Sequence, residues 1–582
     1  MIETDVLIVG SGPAGSSAAA LLSTYGIDNM LVTKYRWLAD TPRAHITNQR
    51  TMEVLRDLGL EQQVMQQATP NHLMGHNVFC TSLAGEELGR LRTWGTDPLS
   101  QARHRLASPT MMNDMPQNLM EPILFGAACA RGTQARLSTE YLALTQDADG
   151  VTATVRDRLT GHEYQIRARY LIGADGGNSK VASDIGLPMQ GRMGIGGSIN
   201  ILFNADLSRY VAHRPSVLYW VLQPGSNVGG IGMGLVRMVR TWDEWLIVWG
   251  YDIDGPAPQV TEDICKRVAW NLIGDDSIPL QIKSWSTWTV NHMHATHYQR
   301  GRVFCVGDAV HRHPPSNGLG SNTSIQDSYN LAWKLAMVLQ GHAGSELLES
   351  YSVERAPVGR QIVVRANKSI GEFGPIFGAL GLLDSTDPAV MQANMEKRKE
   401  DTPEAKERRK ALRAAIAAKV YEFDAHGVEM NQHYDSNAVL AGPGDERRFA
   451  EDAELVHQPS SCPGARLPHV WVERDRQALS TLDLVGHGRY TLLTGIGGDD
   501  WRSAVAALAA SGFPIRCVSI GPDQDYQDPF GDWARISEIE DDGALLVRPD
   551  QVVAWRQRER AADCAAALGD AVGRVVGRMP VG

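Results

Sequence analysis

A glycine-rich turn near the start of the chain has the residue types and spacing of a diphosphate-binding loop. An apolar run, residues 5–9, precedes the turn, and an Ala-rich stretch, residues 14–25, follows it. The turn reads Gly10-Ser11-Gly12-Pro13-Ala14-Gly15. Glycines allow the backbone to approach a pyrophosphate, whose charge is stabilised by the N-terminus of the following helix. We therefore predict that Gly10, Gly12, Pro13, Ala14 and Gly15 bind a dinucleotide.

The position that usually contacts the adenosine ribose is occupied by a basic residue. An acidic residue is expected there, about 20 residues after the glycines. In this chain the segment reads Val32-Thr33-Lys34. Lys34 is a candidate cofactor-binding residue, and a lysine there would also suit the 2′-phosphate of NADP, so this motif alone leaves the dinucleotide open.

Two later segments place a carboxylate directly after a predicted strand. They read Gly173-Ala174-Asp175-Gly176 and Val306-Gly307-Asp308-Ala309. Ligands of open α/β sheets bind at this end of the strands, so Asp308 is suited to accept hydrogen bonds from a polyhydroxyl chain such as ribityl. Either segment taken alone could be a simple turn. Three such motifs in this order favour FAD.

The segment after Asp308 is rich in small residues and leads into a predicted helix, residues 321–339. It reads His311-Arg312-His313-Pro314-Pro315-Ser316-Asn317-Gly318-Leu319-Gly320-Ser321-Asn322. Its glycines let N–H groups converge, and the helix N-terminus adds roughly half a positive charge that would stabilise a reduced, anionic flavin. We predict cofactor contacts from Pro315, Gly318, Gly320, Ser321 and Asn322. The two histidines lack the support of other ligands, so we predict no metal site.

The elements that must position these residues indicate an α/β fold with several domains. A β-α-β opening and a strand at 303–306 predict a Rossmann-like sheet, and residues 198–251, rich in aromatic and β-branched residues, predict an antiparallel sheet above it. The predicted domains are a discontinuous nucleotide-binding domain, a β-sheet substrate domain, a helical connection and a C-terminal α/β domain. Their boundaries are 1–190 with 295–375, 191–294, 376–445 and 446–582.

Composition excludes several classes of partner and site. The net charge is −11 and the pI is near 5.9, which argues against nucleic acid and anionic membranes. The seven cysteines form no Cys-x-x-Cys pair, which excludes a disulfide reductase and suits a reducing compartment. No signal peptide is visible and no apolar run reaches the roughly 18 residues of a membrane span. We expect a cytoplasmic protein.

Three segments together resemble the class A flavoprotein aromatic hydroxylases, and within them the phenol hydroxylase branch. They are residues 41–53, 116–122 and 307–322, and the likeness extends along almost the whole chain. The resemblance implies a thioredoxin-like C-terminal domain. It also implies that Arg43 and Gln117 contact the phosphate and ribityl portions of FAD and that Tyr141 lies near the adenine. Asp308 would bind ribityl, and Asp175 belongs to a motif linked to both FAD and NADPH.

The resemblance implies that NADPH or NADH reduces FAD, that O2 adds at flavin C4a and that the resulting hydroperoxide hydroxylates a phenol to a catechol. A phenol reacts better as phenolate, so a base is expected near its hydroxyl group. His45 stands where this branch has a catalytic acidic residue, and an imidazole titrates near neutrality. We predict that His45 is this base, although a histidine that only packs near the flavin is the alternative.

The substrate ring requires an apolar enclosure. Trp220, Met233 and Trp249 lie on predicted strands of the upper sheet, and Pro314 would form the floor. For each of these aromatic residues, ordinary core packing is the competing interpretation. The strand Ile247-Val248-Trp249 offers no cation for a substrate carboxylate, which favours a neutral phenol, chlorinated or otherwise substituted.

Other functions share the same motifs. Hydroxylases of aromatic polyketides or hydroxyphenyl acids, a non-oxygenating FAD oxidoreductase, and a flavin-fold binding protein of the prenylation-chaperone type are the alternatives. The expected partners are a small aromatic substrate and a second copy of the chain, in a homodimer or higher homo-oligomer.

Overall fold

The structure is a computed structural model that describes residues 2–224, 234–256 and 258–578. In this part of the chain the backbone forms a mainly parallel sheet, a large mixed sheet above it and a smaller sheet near the C-terminus. We call them the nucleotide sheet, the roof sheet and the C-terminal sheet. This mixed α/β architecture agrees with the fold class predicted from the sequence.

The nucleotide sheet has a parallel core. From one edge to the other its strands are Gln299–Arg300, Val303–Cys305, Glu163–Gly173, Ile2–Val9, Asn29–Val32 and Gln134–Arg136, with Val151–Asp157 and Thr139–Gln146 added beside Glu163–Gly173. The helix Pro13–Thr24 packs against both Gln117–Ala130 and Gly320–Leu339. Val6, Leu7 and Ile8 are fully buried, as expected of a strand covered on both faces. The predicted β-α-β opening and the long helix before residue 339 are confirmed.

The roof sheet contains the antiparallel strands expected between residues 198 and 251. It also includes strands from earlier and later parts of the chain. Its order is His311–Arg312, Gln281–Ala295, Met189–Asn204, Glu244–Tyr251, Gly234–Arg240, Ser216–Val221, His76–Cys80 and Glu87–Arg92. The last two strands lie inside the range predicted for the nucleotide-binding domain. Because Ser216–Val221 pairs in parallel with His76–Cys80, a boundary at residue 190 does not separate the two domains.

The remaining helices surround these sheets. They are Gln49–Asp57, Glu61–Met65, Pro98–Ala107, Lys180–Asp184, Ser208–Val211, Glu262–Ile273, Glu349–Gly371, Gly374–Leu380, Pro388–Lys397, Pro403–Ala418, Val420–Phe423 and His426–Met430. The charged segment 395–413 is divided between two helices. A new helix begins at Pro403 with Thr402 as its N-cap, because proline fits the first helical position but not the interior.

The C-terminal sheet has the order Ile515–Ser519, Tyr490–Thr494, Ala544–Val547 and Val553–Gln557. Its first two strands are parallel and the others antiparallel, and the helices Asp499–Ala510, Asp532–Ile536 and Cys564–Val575 accompany it. This is a thioredoxin-like arrangement, as expected. All seven cysteines fall within the described residues and all are free thiols.

A buried ionic cluster joins the C-terminal domain to the helices of the nucleotide-binding domain. Glu354 accepts hydrogen bonds from Lys334 Nζ at 2.8 Å and from Arg548 Nη1 at 2.6 Å. Arg548 also pairs with Asp550 at 2.6 Å. Because these side chains are almost fully buried, each charge depends on its partners for stabilisation.

The helices of the described segments include none with the length and apolar character that crossing a membrane requires.

Candidate active site

The glycine-rich turn forms a close-packed cradle that leaves one side open. Gly10 has φ +110°, and a Cβ there would lie 2.2 Å from the Ala174 carbonyl oxygen. A Cβ on Gly15 would lie 1.9 Å from the Gly10 oxygen, whereas at Gly12 the nearest atom is Glu121 Oε1 at 3.9 Å. The helix Pro13–Thr24 has no side-chain cap, so its first N–H groups remain available. This geometry fits the diphosphate of FAD.

Arg43 and Gln117, both predicted to contact the cofactor, lie beside this cradle. Gln117 Nε2 donates to Glu121 Oε1 at 2.6 Å, and the Ala44 N–H donates to Gln117 Oε1 at 3.4 Å. Arg43 is exposed and acts electrostatically on Glu121. Burial raises the pKa of Glu121, while the Ala39 N–H opposes that rise. Sequence reasoning missed Glu121, although an acid within an apolar helix was a usable signal.

Lys34 and Tyr141 lie at one edge of the nucleotide sheet. The Thr139 N–H donates to the Thr33 carbonyl oxygen at 2.7 Å, which brings their segments together. Lys34 is exposed, and the buried Tyr141 donates its hydroxyl hydrogen to Asp184 at 2.8 Å. Their contacts with the adenosine portion stay a prediction.

The two predicted carboxylates differ in what they contact. Asp175 is partly buried and accepts hydrogen bonds from the N–H groups of Lys180 and Val181 at 2.7 and 3.1 Å, so its carboxylate is engaged by the first turn of the helix Lys180–Asp184. Asp308 is exposed. Within the described ranges, no side chain or N–H group hydrogen-bonds the Asp308 carboxylate, which leaves it free to accept from ribityl hydroxyl groups.

The segment 313–319, here called the proline loop, is shaped by two residues of left-handed conformation. Asn317 has φ 66° and Gly318 has φ 63°. A Cβ on Gly318 would come within 2.8 Å of Ile46, so glycine is required for this close approach. Gly320 then begins the long helix, whose N-terminus has no side-chain cap and is followed by the half-buried Ser321. The first N–H groups of this helix therefore have no side-chain cap, and contacts of Pro315, Gly318, Gly320 and Ser321 with the cofactor stay a prediction.

Asn322 has a different role from the predicted cofactor contact. Its Nδ2 donates to the Ile46 carbonyl oxygen at 2.8 Å, and its Oδ1 accepts from the Asn48 N–H at 3.0 Å. The amide is thus occupied within the protein. It clamps the segment that carries His45 to the proline loop.

His311, which precedes the proline loop, and His313, its first residue, contact the protein itself. His311 Nε2 lies 2.9 Å from Asp327 Oδ2, and His313 Nδ1 donates to the Pro314 carbonyl oxygen at 2.6 Å. Across the described residues, no group of three or more His, Cys, Asp or Glu is arranged to hold a metal ion.

His45 is held by a two-residue strand and a buried carboxylate. Ile46–Thr47 pairs with Asn113–Asp114, and His45 Nδ1 lies 2.5 Å from Asp114 Oδ2. The His45 side chain remains 15% exposed, whereas that of Asp114 is 1% exposed. Because Nδ1 faces the carboxylate, Nε2 is the nitrogen left for a substrate.

Arg237 approaches the same carboxylate from the roof sheet. Its Nη2 lies 3.9 Å from Asp114 Oδ1, and its Nη1 donates to the carbonyl oxygens of Pro42 and Arg43. Burial lowers the pKa of Arg237 to about 10, so it remains a cation at neutral pH. Burial and then Arg237 lower the pKa of His45, while Asp114 acts in the opposite direction. His45 is therefore neutral at pH 7, as a base must be.

The predicted substrate-binding residues Trp220 and Trp249 lie on opposite faces of the roof sheet. Leu218 pairs with Arg237, so Trp220, two residues further, lies on the same face as Arg237. Trp220 packs 4.8 Å from Phe373 and 6.0 Å from Phe423, measured between ring centroids.

Trp249 lies on the opposite face of the roof sheet. It pairs with Gly234, where a Cβ would meet Leu272 of the helix Glu262–Ile273. Strand alternation therefore turns Trp249 away from Arg237 and His45. The predicted Met233 lies outside the described residues, and Pro314 is buried in the proline loop.

Replacing Gly10 with alanine is expected to abolish binding of FAD. A Cβ at this position would overlap the Ala174 oxygen, and its φ is one that alanine rarely adopts. We expect FAD affinity to fall by about 100-fold or more, equivalent to about 3 kcal/mol, as measured by flavin fluorescence titration.

The matched control for Gly10→Ala is Gly126→Ala. Gly126 lies in the helix Gln117–Ala130, and a Cβ there meets nothing within 4 Å, so FAD affinity should be unchanged. Equal affinity in both variants would contradict a phosphate site at residue 10.

Comparison with known proteins gives matches over nearly the whole chain. An FAD binding domain family model matches residues 3–366, and a model of the aromatic-ring hydroxylase C-terminal region matches residues 460–579. The chain is 58% identical to 2,4-dichlorophenol 6-monooxygenase of Cupriavidus pinatubonensis, over 99% of this chain and 97% of that protein. It is 52% identical to phenol 2-monooxygenase of a Pseudomonas species, over 98% and 92%.

A solved structure is also closely similar. The flavin-dependent monooxygenase PieE, determined in complex with FAD and substrate, is 42% identical, with a TM-score of 0.95 over 99% of each chain.

Proposed function

This chain belongs to the FAD-dependent aromatic-ring hydroxylases, and we propose that it hydroxylates a phenol at the carbon next to the hydroxyl group. The observation that carries the proposal is the pairing of His45 Nδ1 with the buried carboxylate of Asp114, which leaves Nε2 for the substrate. Relatives at 58% and 52% identity bear the names of chlorophenol and phenol monooxygenases, which supports this substrate class.

FAD fits the open cradle at Gly12 and the free carboxylate of Asp308, and Arg43 and Gln117 would complete its contacts. When bound and reduced, it supplies the activated oxygen that the ring receives. We propose that NADPH or NADH provides the electrons. The free thiols of all seven cysteines support a reducing compartment such as the cytoplasm.

The residues of the chain prepare the substrate for attack. His45 Nε2 accepts the phenolic proton, so that the electron density of the oxygen is directed to the neighbouring ring carbon. Trp220 and Pro314 enclose the ring, and the buried surroundings exclude water from the reaction.

The substrate we propose is a neutral phenol. Residues 247–249 offer no cation that could bind a substrate carboxylate, but the adjacent strand carries Arg237. The Asp114 carboxylate lies 3.9 Å from Arg237 Nη2 and already balances its charge, so a carboxylated ring would bring a second anion to a single cation. The preference for an uncharged ring substituent therefore stands.

A panel of phenols is expected to show fastest turnover with halogenated or alkylated rings. A ring carboxylate would enter this site without a free cationic partner, so kcat/KM should be lower by at least about tenfold. Substrate-dependent NADPH oxidation, with the catechol identified by mass spectrometry, measures this. A strict requirement for a carboxylated ring would contradict the proposal, and NADPH consumption without hydroxylated product from any phenol would favour a non-oxygenating oxidoreductase.

A further inference from the structure

Asp114 has contacts that the proposed function does not yet explain. It lies at the end of a short strand, almost fully buried, with one carboxylate oxygen 2.5 Å from His45 Nδ1 and the other 3.9 Å from Arg237 Nη2. Asp114 Oδ1 and the Nε and Nη2 atoms of Arg237 have no hydrogen-bond partner within the described part of the chain. Three ionisable side chains thus meet at one point with incomplete hydrogen bonding.

The backbone around this point is unusually well fixed. The Met115 N–H donates to the His45 carbonyl oxygen at 2.6 Å, and the Gln117 N–H donates to the Ala44 oxygen at 2.8 Å. The Asn322 amide holds Ile46 from the other side. Main-chain pairing therefore holds the two residues side by side, within reach of each other's side chains.

We propose that Asp114 is a positioning residue that fixes the tautomer of His45, with Arg237 as its counter-charge. This proposal rests on the proposed function. Asp114 accepts the Nδ1 hydrogen, so the lone pair of the neutral ring lies on Nε2.

Proton transfer then balances without further reactants. The O–H bond of the phenol breaks, an N–H bond forms at Nε2, and the electron pair stays on the substrate oxygen. Asp114 remains a carboxylate and stabilises the imidazolium.

Arg237 and Asp114 act on His45 with opposite signs. They are the charged groups that face His45 from the elements packed against it, one from the strand Gly234–Arg240 and one from Asn113–Asp114. The Arg237 charge disfavours an imidazolium before substrate binds and favours a phenolate afterwards. Removing the Arg237 charge should therefore raise the pKa of His45, and removing the Asp114 charge should lower it.

The test compares Asp114→Asn with Arg237→Gln in the FAD-loaded enzyme. His45 is active when neutral, so activity falls as pH drops through its pKa. Without Asp114 this acid limb of kcat/KM should move to lower pH while kcat falls by about 10- to 100-fold, because the imidazolium loses its stabiliser. Without Arg237 the limb should move to higher pH. Arg240→Gln, on the same strand but exposed and paired with Asp243, should leave it unchanged.

A second readout uses binding instead of turnover. The ultraviolet difference spectrum of bound 2,4-dichlorophenol reports its ionised fraction, which should fall in Asp114→Asn at a given pH. If Asp114→Asn loses FAD or melts early, the displacement of the acid limb to higher pH in Arg237→Gln decides.

The two proposals fail separately. An unchanged acid limb in Arg237→Gln, in an enzyme that still hydroxylates phenols, would overturn the positioning role alone. A wild-type enzyme that hydroxylates no phenol would overturn the proposed function.

Discussion

Replacing His45 with alanine is expected to slow phenol hydroxylation by about 10²- to 10⁴-fold at neutral pH, the range that general-base catalysis contributes. Alanine cannot accept the phenolic proton, so the ring stays in its less reactive form. FAD should remain bound, because the cradle at Gly10 and Gly12 and the carboxylate of Asp308 do not involve His45. The deficit should shrink as pH rises through the pKa of the phenol itself, since the substrate then arrives ionised.

Initial rates of catechol formation across pH, with FAD content measured by absorbance, check this expectation. The control is His297→Ala, which removes an exposed histidine and should leave the rates unchanged. An unaltered rate and pH profile in the His45 variant would remove His45 from the mechanism.

Replacing Glu354 with alanine is expected to cost about 3–5 kcal/mol of stability, the usual result of removing one partner from a buried ion pair. Arg548 and Lys334 would lose the carboxylate that both contact, and so would Asn330 Nδ2 at 2.7 Å and Ser436 Oγ at 2.6 Å. Burial alone would raise the pKa of Glu354, but Arg548 and Lys334 outweigh it and hold that pKa well below its usual range. The stabilising contribution is therefore complete at neutral pH and is lost only as pH falls through this depressed pKa.

Urea denaturation followed by tryptophan fluorescence measures the loss, because Trp333, Trp501 and Trp555 lie in the hydrophobic core beside this cluster. Glu349→Ala changes an exposed residue of the same helix and should cost less than about 1 kcal/mol. A Glu354 variant as stable as this control would mean that the ionic cluster does not hold the C-terminal domain in place.

Local sequence patterns were sufficient to predict the strands and helices that carry the cofactor site. The apolar run before Gly10 and the glycine spacing depend on neighbours in sequence, so the first strand, the phosphate turn and the following helix are predictable. The strands Tyr490–Thr494, Ile515–Ser519 and Ala544–Val547 fit the α/β domain expected at the C-terminus. Arg43 and Gln117 were located through the resemblance, and both interact with Glu121, which lies next to Gly12.

Residues whose role depends on distant contacts were not predictable in the same way. Asp114 and Arg237 meet His45 only because a two-residue strand and the roof sheet converge there. A charge within each apolar segment was the available signal. Asn322 was predicted to contact the cofactor because it follows closely spaced glycines. Its side chain instead donates a hydrogen bond to the Ile46 carbonyl oxygen. Trp249 was predicted from aromatic content, which does not reveal which face of a strand a residue occupies.

The interleaving of the nucleotide and roof sheets has a consequence for how the chain is made. Ile2–Val9 has Glu163–Gly173 as a direct neighbour, and Val303–Cys305 joins only beyond that, while the helix that completes the site ends at Leu339. On the ribosome, more than half of the polypeptide must therefore emerge before the flavin can be captured. Until then, unpaired strand edges stay open to wrong partners.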